Sequence, residues 1–147
     1  MKVRRTRYSL DIKHSVWQVR EADGPRMLDA AAMAAQFKDI AFADRELVFC
    51  LTLDLKNRII DRYLVSMGTL SSSLVHPREA LKAAVMDSAA SIALIHNHPS
   101  GNPDPSHQDR ELCTRLCDCC KLLGIRLLDF VVVARDGYTS FAERGWL

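Results

Sequence analysis

No long hydrophobic run, no internal repeat and no large excess of charge of either sign mark this 147-residue chain. Without a run approaching twenty apolar residues, a membrane-spanning helix is excluded as a reading. No N-terminal stretch carries the apolar core of a signal peptide, so a cytoplasmic protein is expected. Its five cysteines are then expected to stay reduced. Lys and Arg number 20 against 18 Asp and Glu, so bulk charge points to no particular partner. The lack of repeats and of low-complexity linkers leaves a chain of a size that usually forms one domain.

The charge that is present is uneven. Residues 1–20 hold Lys2, Arg4, Arg5, Arg7, Lys13 and Arg20 against Asp11 alone, a net of +5, while the remainder carries −3. Residues 1–26 read as a basic arm or edge strand, with Val16-Trp17-Gln18-Val19 as the strand and Gly24-Pro25 as a break. Such an arm is usually a solvated tail, and its sharper reading is weak contact with DNA or an acidic partner. Residues 27–147 read as the folded domain. Met27 to Phe42 is alanine-rich and predicts a helix. Leu47 to Leu53 predicts a strand, Asp54 to Asn57 a turn and Arg58 to Met67 the returning strand. Pro77 suits the first turn of a helix running to about Ala90. Ser91 to Ile95 is a short apolar run, expected as a buried strand. His107 to Leu123 predicts a helix closed by Gly124, followed by a strand over Ile125 to Ala134, a turn at Asp136-Gly137 and a short strand from Tyr138 to Phe141. Forty-eight per cent apolar residues suffice for a core. The order implies an α/β domain, a mixed β-sheet covered by helices.

The most informative stretch is His96-Asn97-His98, with Ser106 and Asp109 after it. Histidines two apart on extended backbone point to the same side. A carboxylate returns at Asp109, where the Ser106-His107-Gln108-Asp109 capping pattern places it in the first turn of a helix. Two imidazoles and one carboxylate form a set that zinc accepts while a fourth position stays open for water, as a catalytic site requires.

This segment resembles the JAMM motif of JAB/MPN metallopeptidases, and every motif position is filled: His96, His98, Ser106 and Asp109. The wider text is similar to the RadC family of bacterial JAB-domain proteins. The matching blocks are Asp54-Leu55-Lys56-Asn57-Arg58, Ser71 to Glu79, His96 to Asp109, Leu122 to Arg126, and Asp136-Gly137-Tyr138 with Ser140-Phe141. The resemblance implies the JAB/MPN fold, which is cytidine deaminase-like. It also implies one zinc per chain on His96, His98 and Asp109, and zinc-dependent cleavage of a peptide or isopeptide bond in a peptide or protein substrate. It assigns Ser106 to the oxyanion of the tetrahedral intermediate. A base is needed as well, and Asp54, Asp61, Glu79 and Asp87 are all carboxylates that chemistry alone would allow. The family's catalytic glutamate precedes the first central strand, which selects Glu46. Two departures stand out. The chain is expected to be too short for the helix-hairpin-helix region that often precedes this domain. It also has Asp129-Phe130 where the family usually has Asp-His.

Cys113, Cys117 and Cys120 share a helical face with Leu116, so they are expected in the core rather than around a second metal. A zinc deaminase needs His-x-Glu and Pro-Cys-x-x-Cys, whereas this chain has His98 and Leu116 at those positions. His107 is expected to be no ligand, and His76 structural or exposed. A DNA-repair or DNA-processing factor and a non-enzymatic zinc-containing binding module remain as alternatives. Phosphodiester cleavage often uses two metals, and this motif supplies ligands for one.

Overall fold

The computed structural model describes residues 22, 24–27, 29–68 and 75–147. The basic arm and the strand expected at Val16 to Val19 lie outside these residues. Five strands form one sheet: β1 (Leu47–Leu53), β2 (Ile59–Met67), β3 (Ser91–Asn97), β4 (Arg126–Ala134) and β5 (Gly137–Ser140), in the order β2-β1-β3-β4-β5. β1 is antiparallel to β2 and to β3, β3 is parallel to β4, and β4 is antiparallel to β5. The sheet is therefore mixed, as the sequence implies. The helices are α1 (Ala30–Gln36), α2 (Pro77–Met86) and α3 (His107–Leu123), with a short 3-10 turn at Ile40–Phe42. Among the described residues no helix is long and apolar enough to cross a membrane.

Alternation along the strands makes three layers, because successive side chains leave a strand on opposite faces. Val48, Cys50, Ile92, Leu94, Phe130 and Val132 meet Ala80, Leu81 and Ala84 of α2 and Cys113, Leu116 and Cys120 of α3. Leu51, Leu53, Ala93, Ile95, Val131 and Val133 face the other way, onto Met27, Ala30, Met33, Phe37 and Ile40. β3 is covered on both sides and every one of its residues is buried. That double burial is why its sequence is a continuous apolar run rather than an alternation. The cysteines of α3 do what their spacing implies: Cys113 and Cys120 are in the core and Cys117 and Cys119 pack against it.

The helix expected over Met27 to Phe42 is shorter than its alanines suggest. Asp29 caps it by accepting from the Ala32 N–H at 2.7 Å. After seven residues the Phe37 N–H turns back to Ala34 O, and the chain tightens into the 3-10 turn. A helix this short is sustained by its packed face and not by propensity; here that face ends where Phe37 seats against Phe49, ring centroids 5.4 Å apart. α2 also stops early, at Met86, because Ser88 takes a left-handed φ of 50°. Its C-cap, Asp87, accepts from Thr52 Oγ1 at 2.6 Å and from the Tyr63 hydroxyl at 2.8 Å, tying the helix end to β1 and β2. Upstream, the Gly24 and Met27 N–H groups bond Ile59 O and Asn57 O, so the boundary placed at residues 26 and 27 crosses a paired segment. A Cβ on Gly24 would stand 2.6 Å from Ile59 O, which is why glycine is needed there.

Phe130, the departure from the family pattern, belongs to the core. It is 1% exposed and stacks edge-on against Phe141 at 4.8 Å. Asp129 beside it binds the end of β5, accepting from Ser140 Oγ and the Ala142 N–H as well as from the Phe130 N–H. Phe130→Ala should lower stability by about 3–5 kcal/mol in urea unfolding, as expected for a large core aromatic. A loss near zero would contradict this packing.

Candidate metal centre

β3 carries the two histidines to its carboxyl end. His96 is the last-but-one residue of the strand and His98 follows it, so both rings project to the α2/α3 face. Their centroids are 4.8 Å apart and nearly perpendicular. Each ring has its Nδ1 turned to a backbone carbonyl, His96 to Leu47 O at 3.3 Å and His98 to Asn102 O at 3.0 Å. A carbonyl only accepts, so Nδ1 carries the proton and donates in both rings. In the neutral rings Nε2 then holds a free lone pair. This arrangement orients histidine as a metal ligand.

The start of α3 supplies the carboxylate. Ser106 caps the helix and forms a complete capping box with Asp109, as its spacing predicts. The Ser106 N–H donates to Asp109 Oδ2 at 2.7 Å and the Ser106 hydroxyl donates to the same oxygen at 2.8 Å. The Asp109 N–H returns a bond to Ser106 Oγ at 3.1 Å. So held, Asp109 presents Oδ1 to His96 Nε2 at 3.5 Å and Oδ2 to His98 Nε2 at 3.2 Å. Two lone-pair nitrogens and a carboxylate thus converge, an acceptor-rich cluster that calls for a proton or a cation between its members. The donor set fits a metal of zinc's kind.

Glu46 stands just before β1. It, His96 and His98 each offer a ligand atom, all within 4.8 Å of one another, a group able to hold a metal ion. Glu46, His96, His98, Ser106 and Asp109 all line a single cavity of about 300 Å³. Val48, Val75, Pro99 and Leu112 give it an apolar wall, and Ser100 and Gln108 add polar groups. Val75 and Leu112 carry no sequence signal of a groove, because an apolar residue beside a loop or on a helix looks the same whether it lines a groove or the core. Asn97, between the two histidines in sequence, is fully buried and was not among the expected site residues. An amide inside an otherwise apolar buried strand has to find specific partners, and that was the available signal.

The remaining candidates fall elsewhere. His107 is exposed beside Glu111 at 3.4 Å, and His76 is exposed at the start of α2. Asp54 closes the β1–β2 turn by accepting from the Lys56 and Arg58 N–H groups. Asp61, Glu79, Asp87 and Phe130 are not among the residues lining the cavity. Among the described residues the cysteines form no metal-binding group.

Burial and charge act differently on the three groups. Burial pushes the pKa of His96 down despite the nearby carboxylate. Burial also works against charge on the more open His98, but the hydrogen bond and charge of Asp109 outweigh it and raise its pKa. Burial alone would raise Asp109; the His98 bond, the His96 charge and the Ser106 bonds overcome it and hold the carboxyl at about 2.

Residues 28–146 match the family model of the RadC-like JAB domain. The chain belongs to the RadC-like JAB family. Its curated relatives include a UPF0758 protein of Symbiobacterium thermophilum, 53% identical over 97 residues, which are 66% of this chain and 42% of that one. UPF0758 proteins of Bacillus pumilus and Bacillus subtilis (YsxA) are each 46% identical over 110 residues, 75% of this chain and 49% and 48% of theirs. The RadC-like chain spans about half the length of the curated relatives it matches.

In the metal-free protein the Asp109–His98 pair makes stability depend on pH. Asp109 contributes stability that is present above its unfolded pKa of 3.8 and lost as pH falls through about 2. His98 contributes stability that is present below its unfolded 6.5 and lost as pH rises through its raised folded value. His96, kept neutral by burial, opposes folding in acid, and more so once Asp109 is gone. Asp109→Asn should therefore destabilise the metal-free protein more at about pH 5 than at about pH 8, by on the order of 1 kcal/mol. Thermal unfolding in chelator measures this. Equal losses at the two pH values would show that no charged His98 opposes Asp109.

Proposed function

We propose that this domain is a zinc-dependent hydrolase that cleaves a peptide or isopeptide bond. The observation that carries the reading is the convergence of two Nε2 atoms, both freed by Nδ1–carbonyl bonds, on a carboxylate locked in a capping box, with Glu46 in the same groove. In this reading His96, His98 and Asp109 hold one zinc per chain, and a fourth position stays open. Zinc bound there would polarise a carbonyl and bring the pKa of a water toward neutrality.

The chain's own groups supply the proton traffic. Glu46 takes the proton of the attacking water as the water adds to the carbonyl carbon. It then gives that proton to the leaving nitrogen when the C–N bond breaks, because an amine is a poor leaving group until protonated. The Ser106 hydroxyl donates to Asp109 Oδ2; turned toward the groove, it would donate to the oxyanion. Asp109 keeps the Ser106 N–H bond through that rotation. Val48, Val75 and Leu112 give the substrate an apolar wall that sheds water from the reacting end. A peptide or protein is the substrate class of this reading.

Protein purified without added metal should hold one zinc per chain by elemental analysis, and His98→Ala should hold none. Metal-free protein that takes up no zinc would remove the basis of the proposal. Glu46→Gln should keep the zinc and lose hydrolysis by on the order of 10²–10⁴-fold. Loss of the metal instead would make Glu46 a ligand. Chelator-sensitive cleavage is expected on peptide or isopeptide substrates, with none on duplex or single-stranded DNA. DNA cutting that disappears in His98→Ala would favour a DNA-processing enzyme.

A further inference from the structure

Asn97 interrupts an apolar series. Ala93 and Ile95 lie on the α1 face of β3 and pack there against Leu51, Leu53 and Val131. Asn97 is next in that alternation and is 0% exposed, so it points away from the face that bears His96 and His98. It cannot be a third ligand between them. Burying an amide is unfavourable unless both its ends are bonded, and both are. Asn97 Oδ1 accepts from the Leu47 N–H at 2.6 Å, and Asn97 Nδ2 donates to Arg45 O at 3.0 Å.

Those two partners flank Glu46. The β1–β3 ladder ends at the pair Val48 and His96, so Leu47 and Arg45 lie beyond its last rung. There the Asn97 side chain takes over from backbone pairing, gripping the residue before Glu46 and the residue after it. His96 Nδ1 donates to Leu47 O from the same tripeptide. From the other side, the Gly68 N–H donates to Glu46 O at 2.8 Å. The backbone of Glu46 is thereby keyed to the strand end that carries the histidines. Its carboxylate lies within 4.8 Å of a ring nitrogen of each histidine.

We propose that Asn97 is the positioning residue for Glu46: its side-chain amide clamps Arg45 O and Leu47 N–H and so sets the Glu46 carboxylate against the two histidines. The mechanistic meaning rests on Glu46 as the proton carrier. The placement itself does not, and neither does it depend on a bound metal.

The test is NMR of the metal-free full chain and of Asn97→Ala and Asn97→Asp. In the unaltered protein, nuclear Overhauser contacts should join the Glu46 side chain to the His98 ring. Both variants should lose these contacts while the His96–His98 contacts persist. The Leu47 amide should exchange with solvent on the order of tenfold faster in Asn97→Ala, with its acceptor removed. In Asn97→Asp the Leu47 amide should stay protected, since a carboxylate still accepts, while the grip on Arg45 O is lost. Unchanged Glu46–His98 contacts in a folded variant would overturn the proposal and leave Asn97 a structural staple. Loss of the His96–His98 contacts together with those of Glu46 would overturn it as well, placing the effect on the histidines. Should Asn97→Ala fail to fold, Asn97→Asp decides alone, being matched in size. Full hydrolysis by Glu46→Gln would sink the proton-carrier role yet leave these NMR outcomes as they are.

Discussion

Burial of β3 on both faces is the constraint on which the rest depends. A strand covered by α2 and α3 on one side and by α1 on the other has no solvent along its length. Its buried polar side chains must then look to protein for partners, and apart from the Ser91 hydroxyl they find them. The two polar side chains that end the strand, His96 and Asn97, meet this demand by bonding the same short stretch ahead of β1. What begins as a need to satisfy buried polar groups ends as a fixed relation between a histidine pair at the end of one strand and a carboxylate just ahead of its neighbour. The third element, α3, joins the same group because the β3–β4 crossover returns through it and its first turn lies over the strand's end.

Local physics made much of this legible. The apolar run at Ser91 marks a doubly buried strand, and Ser106 with Asp109 and Gly124 marks both ends of α3, because a capping box and a left-handed terminus have narrow residue requirements. The five residues named for the site line one groove, since an i, i+2 histidine pair and a first-turn carboxylate leave little geometric freedom. What could not be read depended on tertiary packing. The alanines after Met27 carry helix propensity well past Gln36, and only the seating of Phe37 against Phe49 shows where the helix stops. The left-handed turn at Ser88 has no glycine to announce it. Phe130 stands where the family usually has histidine, and local pattern does not say where its ring goes. The structure puts it against Phe141 because the alternation of β4 sends position 130 into the layer beneath α3.

The electrostatics divide the two imidazoles by depth. His96 sits where burial dominates and holds the ring neutral, the form in which a histidine binds metal. His98 is more open and leans on Asp109, so its charge state follows its partner. One carboxylate thus supports two rings of different character, and the acidic pKa of Asp109 comes from that double service together with the Ser106 bonds. The asymmetry means that, as pH rises, the inner ring gives up its proton before the outer one.

The capping box at Ser106 has a consequence of a different kind. The atoms that terminate α3 are the atoms that hold Asp109, so the helix cannot fray at its first turn without letting go of the carboxylate. α3 also carries Cys113, Leu116 and Cys120 into the core, and Gly124 ends it cleanly at the far side. Anything that binds at Asp109 is therefore thermodynamically linked to the integrity of a 17-residue helix, and through it to the hydrophobic layer beneath. Linkage is reciprocal. A substitution that strengthens α3 far from the groove would tighten what the groove holds, and a ligand in the groove would protect amides two or three turns away.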